Sequence, residues 1–382
     1  MASLESWLRS AVVPIDALDG GDADMVLLGE LNHFVHEKSD FRLAFVNHFV
    51  RRGFDICAEE LGWSDGARID AYLRKRDEAA FDRISLFGWR GDARADRDDR
   101  PAGVFRAAIE AYPTALMRAE QSRFYRGIAP RAYHGFDVAA GHDGGYADIE
   151  AMIAGLADPA VEAWRRALSR EAGETIEQEV TRLSSLRQAI PKSLGAGVRV
   201  ALDALIDGLR YTALVCDART YGATRPAMAF REDAMKRRLA DIRALSPGRM
   251  ILMGHAMHLA KDDGRIEATI GVGPGGGCVS SLGHHIAQEL RLKTFAVWMI
   301  YGAGEDSQPL PDLPRVARYA PETLNARLAA RFSEPTLIST ANAPDEPVLI
   351  GQMYNSTFRT HLRGQVDALY FVPRVTPMRL DA

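Results

Sequence analysis

The sequence MVLLGELNHFVHEKSDFRLAFVNHFVRRGFDICAEELG, residues Met25–Gly62, decides the fold of this chain. Two short apolar runs, one at its start and one after Gly53, each predict a β-strand. The first run ends in Glu30 and the second ends in Glu60. In an open α/β sheet, ligands bind beyond the carboxyl ends of the strands. The stretch therefore predicts two strands that deliver acidic side chains to the ligand-binding edge of one sheet.

The segment between the two strands has the apolar period of a helix. Phe41, Phe45 and Phe49 recur at every fourth position. This spacing predicts a helix over about residues 33–52, and Asn32 is a suitable N-cap for it. A helix between two strands is typical of a sheet whose strands run mainly parallel.

The rest of the chain extends this pattern. Residues 146–245 read as almost wholly helical, so we predict an α/β fold: a mixed, mainly parallel central sheet flanked by helices, with a large helical insertion that caps the C-terminal edge of the strands. We expect residues 1–145 to form the first part of the core, 146–245 the insertion, and 246–382 the second part of the core. Further strands are predicted at 132–138, 249–254, 295–300, 348–354 and 368–372.

The composition excludes several classes of protein. The 382 residues are 47% hydrophobic, which is enough for a substantial core, and the formal net charge of -4 argues against a nucleic-acid partner or an anionic membrane. Cys57, Cys216 and Cys278 lie far apart, so a disulfide framework or a cysteine-based zinc site is not expected. The first residues lack a signal-peptide pattern and no apolar run has the length of a membrane span, so we expect a cytoplasmic protein.

The side chains that can do chemistry lie just beyond predicted strand ends or on the first helix. A carboxylate beside a histidine fixes the imidazole tautomer and stabilises the imidazolium, so that the free ring nitrogen can take a proton from water. An arginine can orient a carboxylate or stabilise an oxyanion, and a second histidine can protonate a leaving alkoxide. These residues are Glu30, His33, Arg42, Glu60, Asp137, His255 and His258.

Hydrolysis by activated water suits this set better than a covalent route. The sequence has no Gly-x-Ser-x-Gly nucleophile elbow, and no cysteine belongs to the set. The glycine-rich segment Gly271–Gly277 fits a dinucleotide-binding pattern only formally, because it does not open the first βαβ unit; we expect a mobile loop instead. Five other polar residues are expected to be structural or to shape the substrate site: His36, Glu37, His134, His284 and His285.

Several motifs, taken in order, resemble the erythromycin esterase family. The first is Leu28-Gly-Glu-Leu-Asn-His33, followed nine residues later by Arg42. The other motifs of the resemblance are Glu60 before Gly62, His134-Gly-Phe-Asp137, Arg231-Glu-Asp-Ala-Met235, Gly254-His-Ala-Met-His258, Leu282–Ile286, Tyr301–Gly304, Ile350–Tyr354 and Asp367–Leu369.

The resemblance implies hydrolysis of an ester or lactone, without a covalent intermediate, in a deep cleft under a helical cap. It implies that His33 activates water, that Glu30 and Glu60 support it, and that Arg42 is a cation of the cleft. His255 and His258 would be further acid/base or oxyanion groups. No cofactor is expected. The expected partner is a small-molecule ester or lactone, sizeable and largely hydrophobic. We expect four residues to contact it: Phe34, His36, Asp137 and Tyr301.

Two departures from the family pattern bear on the substrate. Phe34 stands where the family usually has glycine, and Ala256 where asparagine is common. The bulk of Phe34 changes the space beside His33, so a macrolide substrate is not implied.

Three alternatives stay open. A divalent-metal hydrolase would use Glu30, His33, Glu60, His255 and His258 as ligands, since carboxylates and imidazoles are adequate for such an ion. A biosynthetic enzyme could transfer or rearrange the acyl group when water is excluded. A binding protein could keep the fold without turnover. The sequence does not indicate the oligomeric state.

Overall fold

The computed structural model describes residues 4–78, 114–138, 144–169, 173–216, 225–270, 279–307 and 314–378. Its strands are β1 Met25–Glu30, β2 Ile56–Gly62, β3 Ala132–Asp137, β4 Met250–His255, β5 Ile266–Ile270, β6 Thr294–Glu305, β7 Val316–Ala317, β8 Thr336–Ser339, β9 Val348–Gly351, β10 Thr357–Thr360 and β11 Ala368–Val375. Its α-helices are Leu4–Ser10, Lys38–Val50, Trp63–Lys75, Thr114–Gly127, Gly144–Ile153, Pro159–Leu168, Ile176–Gln188, Ala196–Cys216, Arg225–Leu245, Leu282–His284 and Leu324–Arg331.

The large sheet has the strand order β3-β2-β4-β1-β6-β11-β8, and β7 pairs with β6. Strand β1 runs parallel to both β4 and β6, and β6 runs parallel to β11, whereas β8 and β7 are antiparallel to their neighbours. A second, antiparallel sheet has the order β5-β10-β9. The predicted α/β class with a mixed, mainly parallel sheet is confirmed. None of the described helices is long and apolar enough to span a bilayer.

The chain divides into two compact units. Unit 1 contains residues 1–58, 115–132 and 248–382, and unit 2 contains residues 59–114 and 133–247. In unit 1, every residue of β1 is buried, and the helix that follows contributes an aromatic row to the core. In unit 2, the described chain from 144 to 245 is built from helices alone, and the assignment of that stretch as a cap stays a prediction.

One local prediction is wrong, and four strands were missed. The first helix begins at Lys38, not at His33, so Asn32 does not cap it. The strands β5, β7, β8 and β10 were not predicted, because they are short and pair with distant segments that no local period reveals. The predicted loop Gly271–Gly277 lies outside the described residues.

Close backbone packing in unit 2 depends on a pair of glycines. Gly66 lies in the Trp63–Lys75 helix, and a Cβ there would overlap the backbone nitrogen of Gly135 on β3. A Cβ on Gly135 would in turn overlap the carbonyl oxygen of Gly62. Backbone atoms cannot move aside as the end of a flexible side chain can, so the helix and the strand approach closely only because both positions are glycine.

We expect Gly66→Ala to lower the free energy of unfolding by about 3 kcal/mol, at the upper end of the cost of overpacking. Urea unfolding followed by circular dichroism measures this change. The control is Gly197→Ala, also in a helix of unit 2, where a Cβ has no neighbour within 4 Å and helix propensity improves. Equal stability of the two variants would contradict the packing argument.

Candidate active site

The end of β1 and the end of β4 lie side by side. In the parallel register of the two strands, Glu30 pairs with His255, and both side chains are buried. Gly29 allows this approach, because a Cβ there would lie 2.7 Å from Trp298 Cδ1 and 2.9 Å from Ala256 Cα. The register of one sheet thus brings together an acid and a histidine that are far apart in sequence.

The segment after β1 is an irregular loop because distant segments occupy its polar groups. Asn32 makes a local turn in which its side-chain Oδ1 accepts from Phe34 N at 2.9 Å, and its Nδ2 donates to Asp306 Oδ2 at 2.7 Å. Ser307 N donates to Phe34 O, and His36 N donates to the carbonyl of Thr376. These bonds replace the helical ladder predicted for the segment, and they hold the loop that carries His33.

Glu30 and His33 form the centre of the candidate site. His33 Nδ1 lies 2.7 Å from Glu30 Oε1, and Lys38 Nζ lies 3.4 Å from the same oxygen. Burial raises the pKa of Glu30, but the Lys38 charge, the His33 hydrogen bond and the Arg42 charge outweigh it and hold this pKa well below the usual value. The carboxylate is therefore ionised. A neutral His33 that donates to it carries its proton on Nδ1, which leaves Nε2 as the acceptor.

Arg42 is buried on the same helix face as Lys38. The helix begins at Lys38, so both cations lie on it at positions i and i+4, which share one face. The charges of both lower the pKa of Glu30. Arg42 Nη1 donates to Gln121 Oε1 at 3.0 Å, and its guanidinium lies 4.4 Å from the centre of the Phe124 ring. The packing of Arg42 therefore fixes a positive charge near the predicted base.

His255 is arranged as a hydrogen-bond donor. Met257 N donates to His255 Nδ1 at 3.3 Å, so a neutral His255 carries its proton on Nε2. Its ring centroid lies 5.2 Å from that of His33 and 6.2 Å from that of His258. The three predicted histidines of unit 1 therefore lie in one cluster with Glu30.

Two aromatic side chains lie beside this cluster. The ring of Phe34 meets that of His33 edge-on at 5.8 Å and lies 6.5 Å from that of Tyr354. Burial, followed by the charge of Glu30, raises the pKa of Tyr301 well above its ordinary value, so this hydroxyl stays protonated. Phe34 and Tyr301 are thus placed as an apolar wall and a neutral donor, and their contact with a substrate stays a prediction.

In unit 2, the predicted residues Glu60 and Asp137 share one cation. Arg231 Nη2 lies 2.6 Å from Glu60 Oε1 and 2.6 Å from Asp137 Oδ2, and Arg231 Nε donates to Asp137 Oδ1 at 2.8 Å. Burial opposes the charge, but Asp137 and Glu60 raise the pKa of Arg231 well above its ordinary value. The neighbouring Glu59 accepts a hydrogen bond from Tyr133 instead. Glu60 and Asp137 are thus ion-paired with Arg231, and any role of theirs in a reaction stays a prediction.

The other histidines have contacts of their own. His134 Nε2 lies 2.9 Å from Ser246 Oγ, its ring stacks on Trp63, and burial and the charge of Arg74 lower the pKa of His134 to about 4. His285 Nδ1 lies 2.6 Å from Glu289 Oε2. These contacts fit the structural roles that the sequence predicts for them.

Three residues of these clusters, Lys38, Gln121 and Arg231, were not among the predicted site residues. Lys38 and Gln121 had no motif to mark them, because their roles follow from where the helices begin and how they pack. Arg231 was visible in the Arg231–Met235 motif, yet its partners were not. Within the described ranges, no group of three or more His, Cys, Asp or Glu side chains is arranged to hold a metal ion. That the reaction needs no metal ion stays a prediction, which a chelation test checks.

Comparisons with known proteins show the fold of the whole chain. No family model matches the sequence. The crystal structure of a succinoglycan biosynthesis protein is 13% identical, with a TM-score of 0.67 over 100% of this chain and 99% of that one. A protein from Bacillus cereus is 14% identical, with a TM-score of 0.65 over 99% and 98% of the two chains.

The third similar structure is an erythromycin esterase. EreC, in the open conformation of a histidine-to-asparagine mutant, is 16% identical to this chain, with a TM-score of 0.60 over 100% of this chain and 96% of that one. At these identities the likeness shows a shared fold, which agrees with the fold that the sequence motifs imply.

Proposed function

We propose that this protein is a cytoplasmic hydrolase of the erythromycin-esterase type, which cleaves a carboxylic ester or lactone with a water molecule activated by His33. The observation that carries the proposal is the buried Glu30–His33 pair at 2.7 Å, with the ring of His255 at 5.2 Å from that of His33. The shared fold with an erythromycin esterase supports the same reaction class.

The proposed reaction begins when His33 Nε2 takes a proton from water and the resulting hydroxide attacks the ester carbonyl carbon. Glu30 stabilises the imidazolium through the proton on Nδ1. The oxyanion that forms accepts a hydrogen bond from His255 Nε2–H, and the charge of Arg42 favours it. As the C–O bond breaks, His33 returns its proton to the alkoxide, so an acid and an alcohol leave. We assign His258 to the orientation of His255.

We expect the substrate to be a largely hydrophobic small molecule, because Phe34 and Tyr354 supply apolar surface beside His33. Tyr301 is proposed to donate a hydrogen bond to it, and His36 to line its entrance. Glu60 and Asp137, which Arg231 holds together in unit 2, stay predicted site residues.

The test is a screen of aryl esters and lactones in water enriched in oxygen-18. We expect hydrolysis, with one heavy oxygen in the carboxylic acid and none in the alcohol, because water attacks the acyl carbon. Rates should not change after treatment with EDTA. Loss of activity on chelation and its return with one divalent ion would overturn the metal-free mechanism. An acyl product that lacks solvent oxygen would identify an acyl transferase instead.

A further inference from the structure

Lys38 is an unusual residue for the interior of a protein. Its side chain has no exposed surface, although a lysine is almost never fully buried unless it is paired. It lies at the first position of its helix, one residue after a loop that distant segments hold in place. The chain thus places an ammonium group, at a substantial desolvation cost, beside the carboxylate that holds His33.

The Glu30 carboxylate has two unequal oxygens. Oε1 faces both His33 Nδ1 and Lys38 Nζ, whereas buried Oε2 has no hydrogen-bond partner among the residues that the structure describes. A carboxylate held by His33 alone could rotate about its terminal bond, because that torsion is soft. A second donor on Oε1 restricts this rotation and keeps one oxygen directed at the imidazole.

We infer that Lys38 is a positioning residue that acts through Glu30: its ammonium fixes the carboxylate, and the carboxylate fixes the ring and the Nδ1–H tautomer of His33. Lys38 touches no reacting atom in this account. Arg42 adds charge at a longer distance, but Gln121 and Phe124 hold its guanidinium, so it cannot replace the direct contact of Lys38. The expected loss of kcat/KM rests on the proposed function. The expected change in the position and tautomer of His33 rests on geometry alone.

A double-mutant cycle tests the kinetic consequence. We expect Lys38→Met to lower kcat/KM by about 10- to 100-fold with little change in KM, since small misplacements of a catalytic group have effects of this size. Because Lys38 acts through Glu30, adding Lys38→Met to Glu30→Gln should lower the rate no further. Lys38→Arg should recover most of the activity. Independent effects that multiply in the double variant would overturn the inference.

The ring nitrogens of His33 supply a readout that needs no substrate. In proton NMR spectra edited by nitrogen-15, the wild-type protein should show a downfield signal from the proton on His33 Nδ1. This signal should disappear in His33→Asn. Lys38→Met should lose or shift this signal, and Lys38→Arg should keep it. An unchanged signal in Lys38→Met would overturn the inference. If no ester is hydrolysed by the wild type, the proposed function fails, and the NMR result still decides the role of Lys38.

The matched control is Lys261→Met, which removes another buried lysine of unit 1. Lys261 Nζ lies 3.0 Å from Asp367 Oδ2. This change should alter stability but neither the His33 signal nor kcat/KM. If Lys38→Met does not fold, as judged by circular dichroism, Lys38→Gln replaces it. The glutamine keeps a donor without the charge, and it should again have no additional effect in the Glu30→Gln background.

Discussion

Replacing His33 by asparagine should lower kcat/KM for the best ester of the screen by about 1,000-fold, within the range expected for loss of a general base. Asparagine can still donate a hydrogen bond to Glu30, so the buried carboxylate keeps a partner. It has no group that can take a proton from water at the place of Nε2. The measurement is steady-state kinetics on wild type and variant, and we expect the loss mainly in kcat.

The control for His33→Asn is the same substitution at His361. The His361 ring is partly exposed, and its Nδ1 lies 2.7 Å from the carbonyl of Asp345. We expect His361→Asn to keep wild-type kinetics and both variants to keep the wild-type circular dichroism spectrum. A folded His33→Asn protein with a rate within threefold of wild type would exclude His33 as the base. Retained ligand affinity without any wild-type turnover would identify a binding protein.

Replacing Arg231 by methionine should destabilise the protein by about 3–5 kcal/mol, the cost of removing one partner from a buried ion pair. Arg231 makes contacts of 2.6 Å with both Glu60 and Asp137, and the side chains of these two carboxylates are 6% and 11% exposed. The change leaves two largely buried negative charges side by side without the Arg231 guanidinium between them. Urea unfolding at neutral pH measures the loss.

Two further variants separate the charge effect from the loss of side-chain volume. In the double variant Arg231→Met with Asp137→Asn, one buried charge is removed, so we expect part of the stability to return. Arg187→Met removes a half-exposed partner of Asp203 and should cost less than about 1 kcal/mol, because water screens such pairs. Equal losses in Arg231→Met and Arg187→Met would show that burial of the pair has no energetic consequence.

The local pattern predicted the parts of the site that lie on regular strands. Glu30 and His255 stand at the ends of two strands that their apolar runs predict. Parallel pairing of these strands then aligns the two residues. The helix start was mispredicted because the N-cap preference of Asn32 is a local tendency. In the folded chain, the Asn32 side chain accepts from Phe34 N through Oδ1 and donates to the distant Asp306 through Nδ2, and these two bonds together fix its conformation. A pattern of neighbouring residues contains no information on such partners.

The sequence by itself determined the α/β class, the strand ends and the identity of the histidines and acids that stand there, because apolar periodicity is set by the need to bury one face of each element. Only the tertiary structure decided which charges meet. It placed Lys38 and Arg42 on one helix face around Glu30, and it paired Arg231 with two carboxylates. The physical reason is that ion pairs and hydrogen bonds depend on distances of a few ångströms between segments far apart in the chain.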